Sequence, residues 1–148
     1  MSDAFHIEPR LLFPHFAEEI DAFYRTEFRY RSRCANPRFP TVDINRVAVR
    51  LYLRFTASKI GPGNAVVIAV IGFRDQRRGH GTRLLAKLVE IANRYDITSV
   101  GVEQTSSKPG IRNFLRKFGF KNHIDDRNWI VSIEMLREHL VQASELGL

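Results

Sequence analysis

The sequence contains a single cysteine, Cys34, among its 148 residues. One thiol cannot form an internal disulfide, and it supports neither a redox CxxC pair nor a zinc site built on several cysteines. A chain of this length buries about two-thirds of its unfolded surface, so it needs no disulfide or metal to fold. The cysteine content is therefore compatible with a reducing, intracellular location.

Long apolar runs are also missing. The longest run covers residues 65–71, whereas a membrane helix needs about 20 apolar residues. The N-terminal segment contains Asp3, Glu8 and Pro9 instead of a basic start followed by an apolar stretch, so it does not resemble a signal peptide. We expect a cytoplasmic protein that does not enter the membrane.

Acidic residues are in the minority, with 16 Asp and Glu against 23 Lys and Arg, which gives a formal charge of +7. Such an excess favours anionic partners through long-range steering. Between Arg25 and Arg54, eight arginines face only Glu27 and Asp43. This stretch is either a solvated basic face or a surface for nucleic acid or an acidic protein.

Hydrophobic periodicity organises the first half of the chain. It predicts one helix, or two, from Pro9 to about Arg31, followed by a loop over residues 32–45. Residues 47–55 alternate between apolar and polar side chains, which predicts a half-exposed strand with a basic outer face. The turn residues 61–63 then lead into residues 65–71, which we predict to be a strand buried on both faces.

The second half begins with an amphipathic helix from about Gly81 to Tyr95, followed by a strand from Thr98 to Glu103. A helix over residues 110–118 follows, and Gly119 is expected to end it in the left-handed conformation. Strands over residues 120–123 and 129–135 flank a predicted turn at 125–128.

Together these elements predict one α+β domain with a mixed sheet over residues 1–148. We divide it into a helical acceptor-side region (1–45), a core (46–135) and a C-terminal helix (136–148). The core contains the strongest chemical signal of the sequence.

Two glycines, Gly79 and Gly81, open a helix directly after a strand and a turn. The first N–H groups of a helix lack backbone partners, and the helix dipole places about half a positive charge there, so this arrangement can bind an anion. A Walker loop is excluded because no lysine precedes Thr82, and the three-glycine dinucleotide fingerprint is incomplete.

Two segments resemble motifs of one superfamily. Gln76, Gly79 and Gly81 match the [Q/R]-x-x-G-x-[G/A] pyrophosphate loop of the GNAT N-acetyltransferases. The segment from Phe114 to Phe120, FLRKFGF, resembles the F-Y-x-K-x-G-F segment of the same superfamily. The resemblance implies a GNAT-like fold, with a central twisted mixed sheet flanked by helices. It also implies an N-acyltransferase that uses acetyl-CoA or another short acyl-CoA, and no metal.

The resemblance further implies how CoA binds. Strand residues pair with the pantetheine amides and direct one N–H to the thioester carbonyl, while main-chain N–H groups of the loop hold the pyrophosphate. Arg74, Arg77, Arg78 or Arg83 can add positive charge, and the side chain of His80 is expected to face outward. The implied CoA-binding residues are Val70, Ile71, Gly72, Gln76, Arg77, Arg78, Gly79, His80, Gly81, Thr82 and Phe114.

Direct attack on a thioester requires a neutral amine, so a base must take a proton from the ammonium. Glu103 is our first choice, although it can equally be an exposed strand-end residue or an ion-pair partner of Arg112. Weaker candidates for the base are His80, His123 and Asp125.

The leaving thiolate is protonated by a tyrosine in many members of the superfamily, but that position here is Leu115. Tyr52 or water then takes this role, or turnover has been lost. Lys108 stands where many members have asparagine. Cys34 as an acyl-carrying nucleophile is a remote alternative, because a lone cysteine is usually inert.

The function expected from these residues is acyl transfer, most simply of acetyl, from CoA to a primary amine. One alternative is a nucleic-acid- or tRNA-directed acyltransferase, in which Arg50, Tyr52 and Arg54 provide phosphate contacts and stacking. The other is a CoA-binding regulatory domain without turnover. A homodimer is compatible with each of them.

Overall fold

The computed structural model describes residues 8–103, 109–123 and 125–146, with only the main chain described at 109, 125 and 126. The elements in chain order are α1 (Pro9–Phe28), β1 (Ala35–Arg38), β2 (Thr41–Asn45), β3 (Val49–Ala57), β4 (Asn64–Phe73), α2 (His80–Ile91), β5 (Ile97–Glu103), α3 (Pro109–Lys117), β6 (Lys121–His123), β7 (Asp125–Ser132) and α4 (Ile133–Glu145).

The strands form one seven-stranded mixed sheet in the order β1-β2-β3-β4-β5-β7-β6. Strands β4 and β5 are parallel, and α2 connects them, as a parallel pair requires a crossover. The other neighbouring pairs are antiparallel. The prediction of an α+β fold with a mixed sheet is confirmed.

The strand register divides the sheet into two faces. Leu53, Ile68 and Val102, on three adjacent strands, share one face and belong to the same core cluster as the buried residues of all four helices. The ring of Phe16 on α1 lies 4.8 Å from that of Phe55 on β3. Burying each such side chain contributes about 1.5–3 kcal/mol. The described helices therefore pack on this face, which we call the helix face.

The opposite face, which we call the open face, carries the alternate residues of the same strands. Arg50, Tyr52 and Arg54 of β3 lie on it, together with Val67 of β4 and Gly101 of β5. These β3 side chains are exposed or half-buried, as the alternation in the sequence predicts. The open face is therefore the side of the sheet on which a ligand can approach β3, β4 and β5.

A buried carboxylate attaches α1 to the first strand. Asp21, only 3% exposed, accepts the main-chain N–H groups of Cys34 at 2.8 Å and Ala35 at 2.9 Å. Burial, followed by the charge of Asp21, raises the pKa of the Cys34 thiol to about 11. Burial and a raised pKa both make the thiol a poor nucleophile, which disfavours the acyl-carrying role considered for Cys34.

The loop predicted over residues 32–45 is wrong, because β1 and β2 form a hairpin there. Its hydrophobic signal is short, since only Val42 and Ile44 are buried in β2 and only Ala35 in β1. The helical acceptor-side region consequently also contains two strands. Val47, expected to begin β3, precedes the strand and is 82% exposed.

The turn predicted at residues 125–128 is also wrong, because these residues are part of β7. The strand ends at Ser132, whose Oγ accepts the N–H of Met135 and caps α4. Met135 is therefore helical, although the apolar pattern had placed it in a strand. The prediction for Gly119 is confirmed, since it follows α3 with a φ of +85°.

The Asp21 contacts generate a stability prediction. Asp21→Ala leaves two buried N–H groups without an acceptor, so the free energy of unfolding should fall by about 2–3 kcal/mol in urea denaturation. Asp21→Asn keeps an oxygen acceptor at the same place and should lose clearly less. Asp43→Ala, which removes a surface ion pair with Arg50, should cost about 0.5 kcal/mol. Equal losses for all three variants would contradict the anchoring role of Asp21.

Candidate functional site

The parallel strands β4 and β5 separate part of the way along β4. Their pairing ends at Ile68 and Val102, and β4 has a bulge at this point because Tyr52 pairs with Val70 whereas Leu53 pairs with Ile68. Beyond Ile68, the edge of β4 that faces β5 pairs with no strand among the described residues, and Val70 is 43% exposed. The prediction that this strand is buried on both faces is therefore wrong for its second half. The opening leaves main-chain hydrogen-bonding groups available to a ligand.

The turn that follows β4 has the backbone of an anion-binding concavity. Arg77 has a φ of +61° and Gly79 a φ of +80°. Gly79 directly precedes the right-handed residues of α2, and this alternation is typical of anion-binding concavities. Helix α2 begins at His80, and its first internal hydrogen bond joins the N–H of Arg83 to the carbonyl of Gly79 at 2.9 Å. The preceding N–H groups, at residues 80–82, have no hydrogen-bond acceptor within the described part of the chain, so they can face an anion.

The two glycines of this turn stand where a side chain would be obstructed. A Cβ at Gly79 would lie 2.7 Å from Nη1 of Arg83, the end of a flexible side chain, and the φ of +80° adds backbone strain for any other residue. A Cβ at Gly81 would lie 3.2 Å from Cζ of Phe114, because α3 leans on the start of α2. The structure thus brings Phe114 to the loop, as the two sequence segments had suggested.

Glu27, near the end of α1, is a shared acceptor for two residues of α2. Its Oε2 accepts the Nδ1–H of His80 at 2.7 Å and the Nε–H of Arg83 at 2.7 Å. Glu27 and His80 expose only 12% and 13% of their side chains. The carboxylate therefore fixes the position of the Arg83 guanidinium beside Gly79.

The expectation that the side chain of His80 faces outward is wrong. Its ring lies 4.7 Å from that of Phe28 and 5.0 Å from that of Phe73, measured between centroids. These aromatic neighbours and Glu27 hold the imidazole against α1. Sequence reasoning missed Glu27 because it precedes His80 by 53 positions and belongs to no local motif.

A groove of about 80 Å³ crosses the open face below the point where β4 and β5 separate. Gly101 and Val67 lie in it, and Glu103 of β5 lines it together with Arg54 of β3. These last two side chains form an ion pair, each a little more than one-third exposed. The partner of Glu103 is therefore Arg54 and not Arg112, whose Nε is buried without a hydrogen-bond partner in the described part of the chain.

The other predicted catalytic residues occupy different surroundings. Tyr52 is half-buried on the open face and pairs across the strands with Val70 at the bulge. His123 lines the groove. Leu115 is 2% exposed and belongs to the core, so α3 provides no proton donor at that position. Lys108 and the side chain of Asp125 lie outside the described residues.

The arginine-rich stretch between Arg25 and Arg54 is largely committed to contacts within the chain. Five of its eight arginines form ion pairs, carbonyl hydrogen bonds or a cation–π contact: Arg25 with Asp21, Arg33 with Glu18, Arg46 with Tyr30, Arg50 with Asp43 and Arg54 with Glu103. Such pairing reduces the positive charge that this stretch offers to an external polyanion.

Among the described residues, no helix is long and apolar enough to cross a bilayer. The same residues contain no cluster of three or more His, Cys, Asp or Glu side chains that could hold a metal ion.

Two solved structures resemble this architecture. A mutant of the AtaT toxin bound to the C-terminus of the antitoxin AtaR has a TM-score of 0.50 and 14% identity, over 69% of this chain and 71% of that chain. A chain of the KacTA–DNA complex has a TM-score of 0.50 and 13% identity, over 69% and 72%. No protein-family model and no curated protein matches the sequence. At this level of identity the likeness shows the fold, and the chain has the GNAT acyltransferase fold.

Proposed function

We propose that this protein is an acyl-CoA-dependent N-acyltransferase that transfers acetyl, or another short acyl group, to a primary amine by direct attack. The observation that carries this proposal is the combination of the opened β4 edge with the concave turn at the start of α2. The GNAT fold and the resemblance of Gln76, Gly79 and Gly81 to the pyrophosphate loop support the same conclusion.

The residues of the turn fit a diphosphate. The free N–H groups at 80–82 can donate to its oxygens, and the N-terminal end of α2 contributes about half a positive charge. Arg83, positioned by Glu27, lies beside Gly79 and adds a cation. The unpaired edge at Val70, Ile71 and Gly72 can receive the pantetheine amides as a neighbouring strand would.

CoA supplies an activated acyl carbonyl next to this edge. A main-chain N–H beyond the bulge can donate to the carbonyl oxygen as negative charge develops there, which lowers the barrier to attack. Glu103 stands at the end of β5, where β4 has already separated from it. A carboxylate at this place can accept the proton that the incoming ammonium must lose.

Protonation of the leaving thiolate requires another donor, because Leu115 has none. We assign this role to the hydroxyl of Tyr52, which lies on the open face and pairs with Val70. Tyr52 and Glu103 belong to the strands on either side of β4. They therefore flank β4, whose opened edge would hold the thioester.

Two alternatives lead to different measurements. A regulatory domain would bind CoA without acyl transfer to any amine. The observation behind this alternative is the buried Leu115, which provides no proton donor for the leaving thiolate. A nucleic-acid-directed enzyme would bind RNA with steep salt dependence. The internal pairing of five arginines favours the small-amine enzyme over the second alternative.

The charge at the turn can be tested with two substitutions of similar shape. Gly81→Asp and Gly81→Asn impose the same contact with Phe114, so both share the steric cost, but only aspartate repels a diphosphate. We expect CoA to bind about a hundredfold more weakly to the Asp variant than to the Asn variant in calorimetry. An acidic residue in the first turn stabilises a helix by about 0.3–1 kcal/mol, so the Asp variant should fold.

Equal CoA affinities for the two Gly81 variants, with both variants folded by circular dichroism, would place the diphosphate elsewhere.

The shared acceptor Glu27 provides a second test of the donor site. Glu27→Gln can accept only through its amide oxygen and has no charge, so Arg83 should lose its fixed position and CoA affinity should fall about tenfold. Glu90→Gln, which alters an exposed ion pair with Lys87 on the same α2 helix, should leave the affinity unchanged. If the two variants bind CoA alike, Glu27 does not position the loop.

The proton-transfer roles can be tested separately from binding. Glu103→Gln and Tyr52→Phe should each lower kcat by about 10²-fold or more, while the dissociation constant for CoA stays within about twofold. If kcat is unchanged in both variants, water carries out the proton transfers and these two side chains do not.

A further inference from the structure

We infer that the acceptor is an amine that also carries an anionic group, a carboxylate or a phosphate, and that Arg54 selects it in the groove on the open face. The inference rests on the proposed function, because it concerns the acceptor of that reaction. It depends on the shape of the groove, on the charges in its lining and on the exposure of one ion pair.

The shape of the groove depends on small residues in its floor. Gly101 of β5 lies between Val67 of β4 and Ile130 of β7 on the open face. A Cβ at Gly101 would be 3.6 Å from Cγ2 of Val67 and 3.8 Å from Cγ1 of Ile130. An alanine would therefore fit, but a larger side chain would fill the groove. Ala65, which neighbours Val67 on the open face of β4, also has a small side chain and leaves the groove unfilled.

Cations predominate in the described lining. Arg54 and Lys59 are positively charged, whereas Glu103 is the one carboxylate among the described side chains that line the groove. An amine acceptor without an anionic group would add its own positive charge to a groove whose described lining already has more cations than carboxylates. An acceptor with an anionic group would neutralise it, and arginine is well suited to this role because its guanidinium can bind a carboxylate or phosphate with two parallel hydrogen bonds.

The ion pair between Arg54 and Glu103 can be exchanged for the ligand without leaving a charge unpaired. Both side chains are partly exposed, at 35% and 38%, so each can turn toward a ligand. The ammonium of the acceptor then meets Glu103, which stands at the separated strands, and its anion meets Arg54. This arrangement places the amine on the side of the carboxylate that would take its proton.

The experiment compares matched acceptors that differ in the anion. β-Alanine is paired with β-alaninamide, and phosphoethanolamine is paired with ethanolamine; the first pair tests a carboxylate and the second a phosphate. With acetyl-CoA, thiol release should show kcat/KM about tenfold higher for the anionic member of at least one pair. The pair that shows the preference identifies the anion.

The variants assign this preference to one residue. Arg54→Gln should reduce the advantage of the anionic member to about twofold or less, because it lowers kcat/KM for the anionic member. Arg50→Gln is the matched control, since Arg50 lies on the same strand and face and pairs with Asp43 outside the groove. Gly101→Val should abolish transfer to all four amines while CoA binding persists.

Equal kcat/KM within each pair would overturn the inference, and so would an anion preference that survives Arg54→Gln. If no amine is acetylated, NMR shifts of the Arg54 side chain on titration with the same four compounds decide the question. Shifts with the anionic members alone support the inference. The absence of shifts at 10 mM, roughly the weakest binding that matters, overturns it. If the native protein does not bind CoA, the proposed function itself is refuted.

Discussion

The separation of β4 from β5 after Ile68 and Val102 is the constraint on which the candidate site depends. A parallel pair that continued along the whole strand would satisfy its own main-chain groups and leave none for a ligand. The bulge opposite Tyr52 and Leu53 bends β4 at this point, as bulges do when they end regular pairing. The same strand leads at Phe73 into the turn that begins α2. One strand therefore carries both the open edge and the start of the turn that would bind the diphosphate.

A second requirement is that the turn keeps its shape, and α1 contributes to this from a distant part of the sequence. The carboxylate of Glu27 reaches two residues of α2, and the ring of Phe28 packs on His80. A second set of hydrogen bonds, accepted by Asp21, attaches α1 to the start of β1. The loop is thus supported by a helix that is itself fixed to the far edge of the sheet.

Much of this arrangement could be predicted from the sequence because it depends on local patterns. Three of these patterns lie within one short stretch of sequence each: the alternation of β3, the amphipathic stripe of α2 and the glycine after α3. The two loop glycines are likewise explained by the local geometry of the turn. The strands β1 and β2 were missed because each is short and buries only one or two side chains. The strand character of residues 125–128 was missed because a polar run resembles a turn when its partners in the sheet are unknown.

The contacts of the candidate site were harder to predict because they join distant segments. Arg54 meets Glu103 only because β3 and β5 lie on either side of β4, an order that the sequence does not state. The inward orientation of His80 depends on Glu27 and Phe28 in the same way. Sequence patterns identify which residues carry chemistry, but the sheet order and the helix packing decide which of them meet.

The packing of all four described helices on one face of the sheet also affects the order in which the two substrates can bind. In the proposed arrangement the acyl donor lies along the opened edge of β4 and extends to the start of α2, while the amine arrives through the groove on the open face. Neither ligand then blocks the path of the other. Such an enzyme has no steric need to bind its two substrates in a compulsory sequence, and either product can depart first.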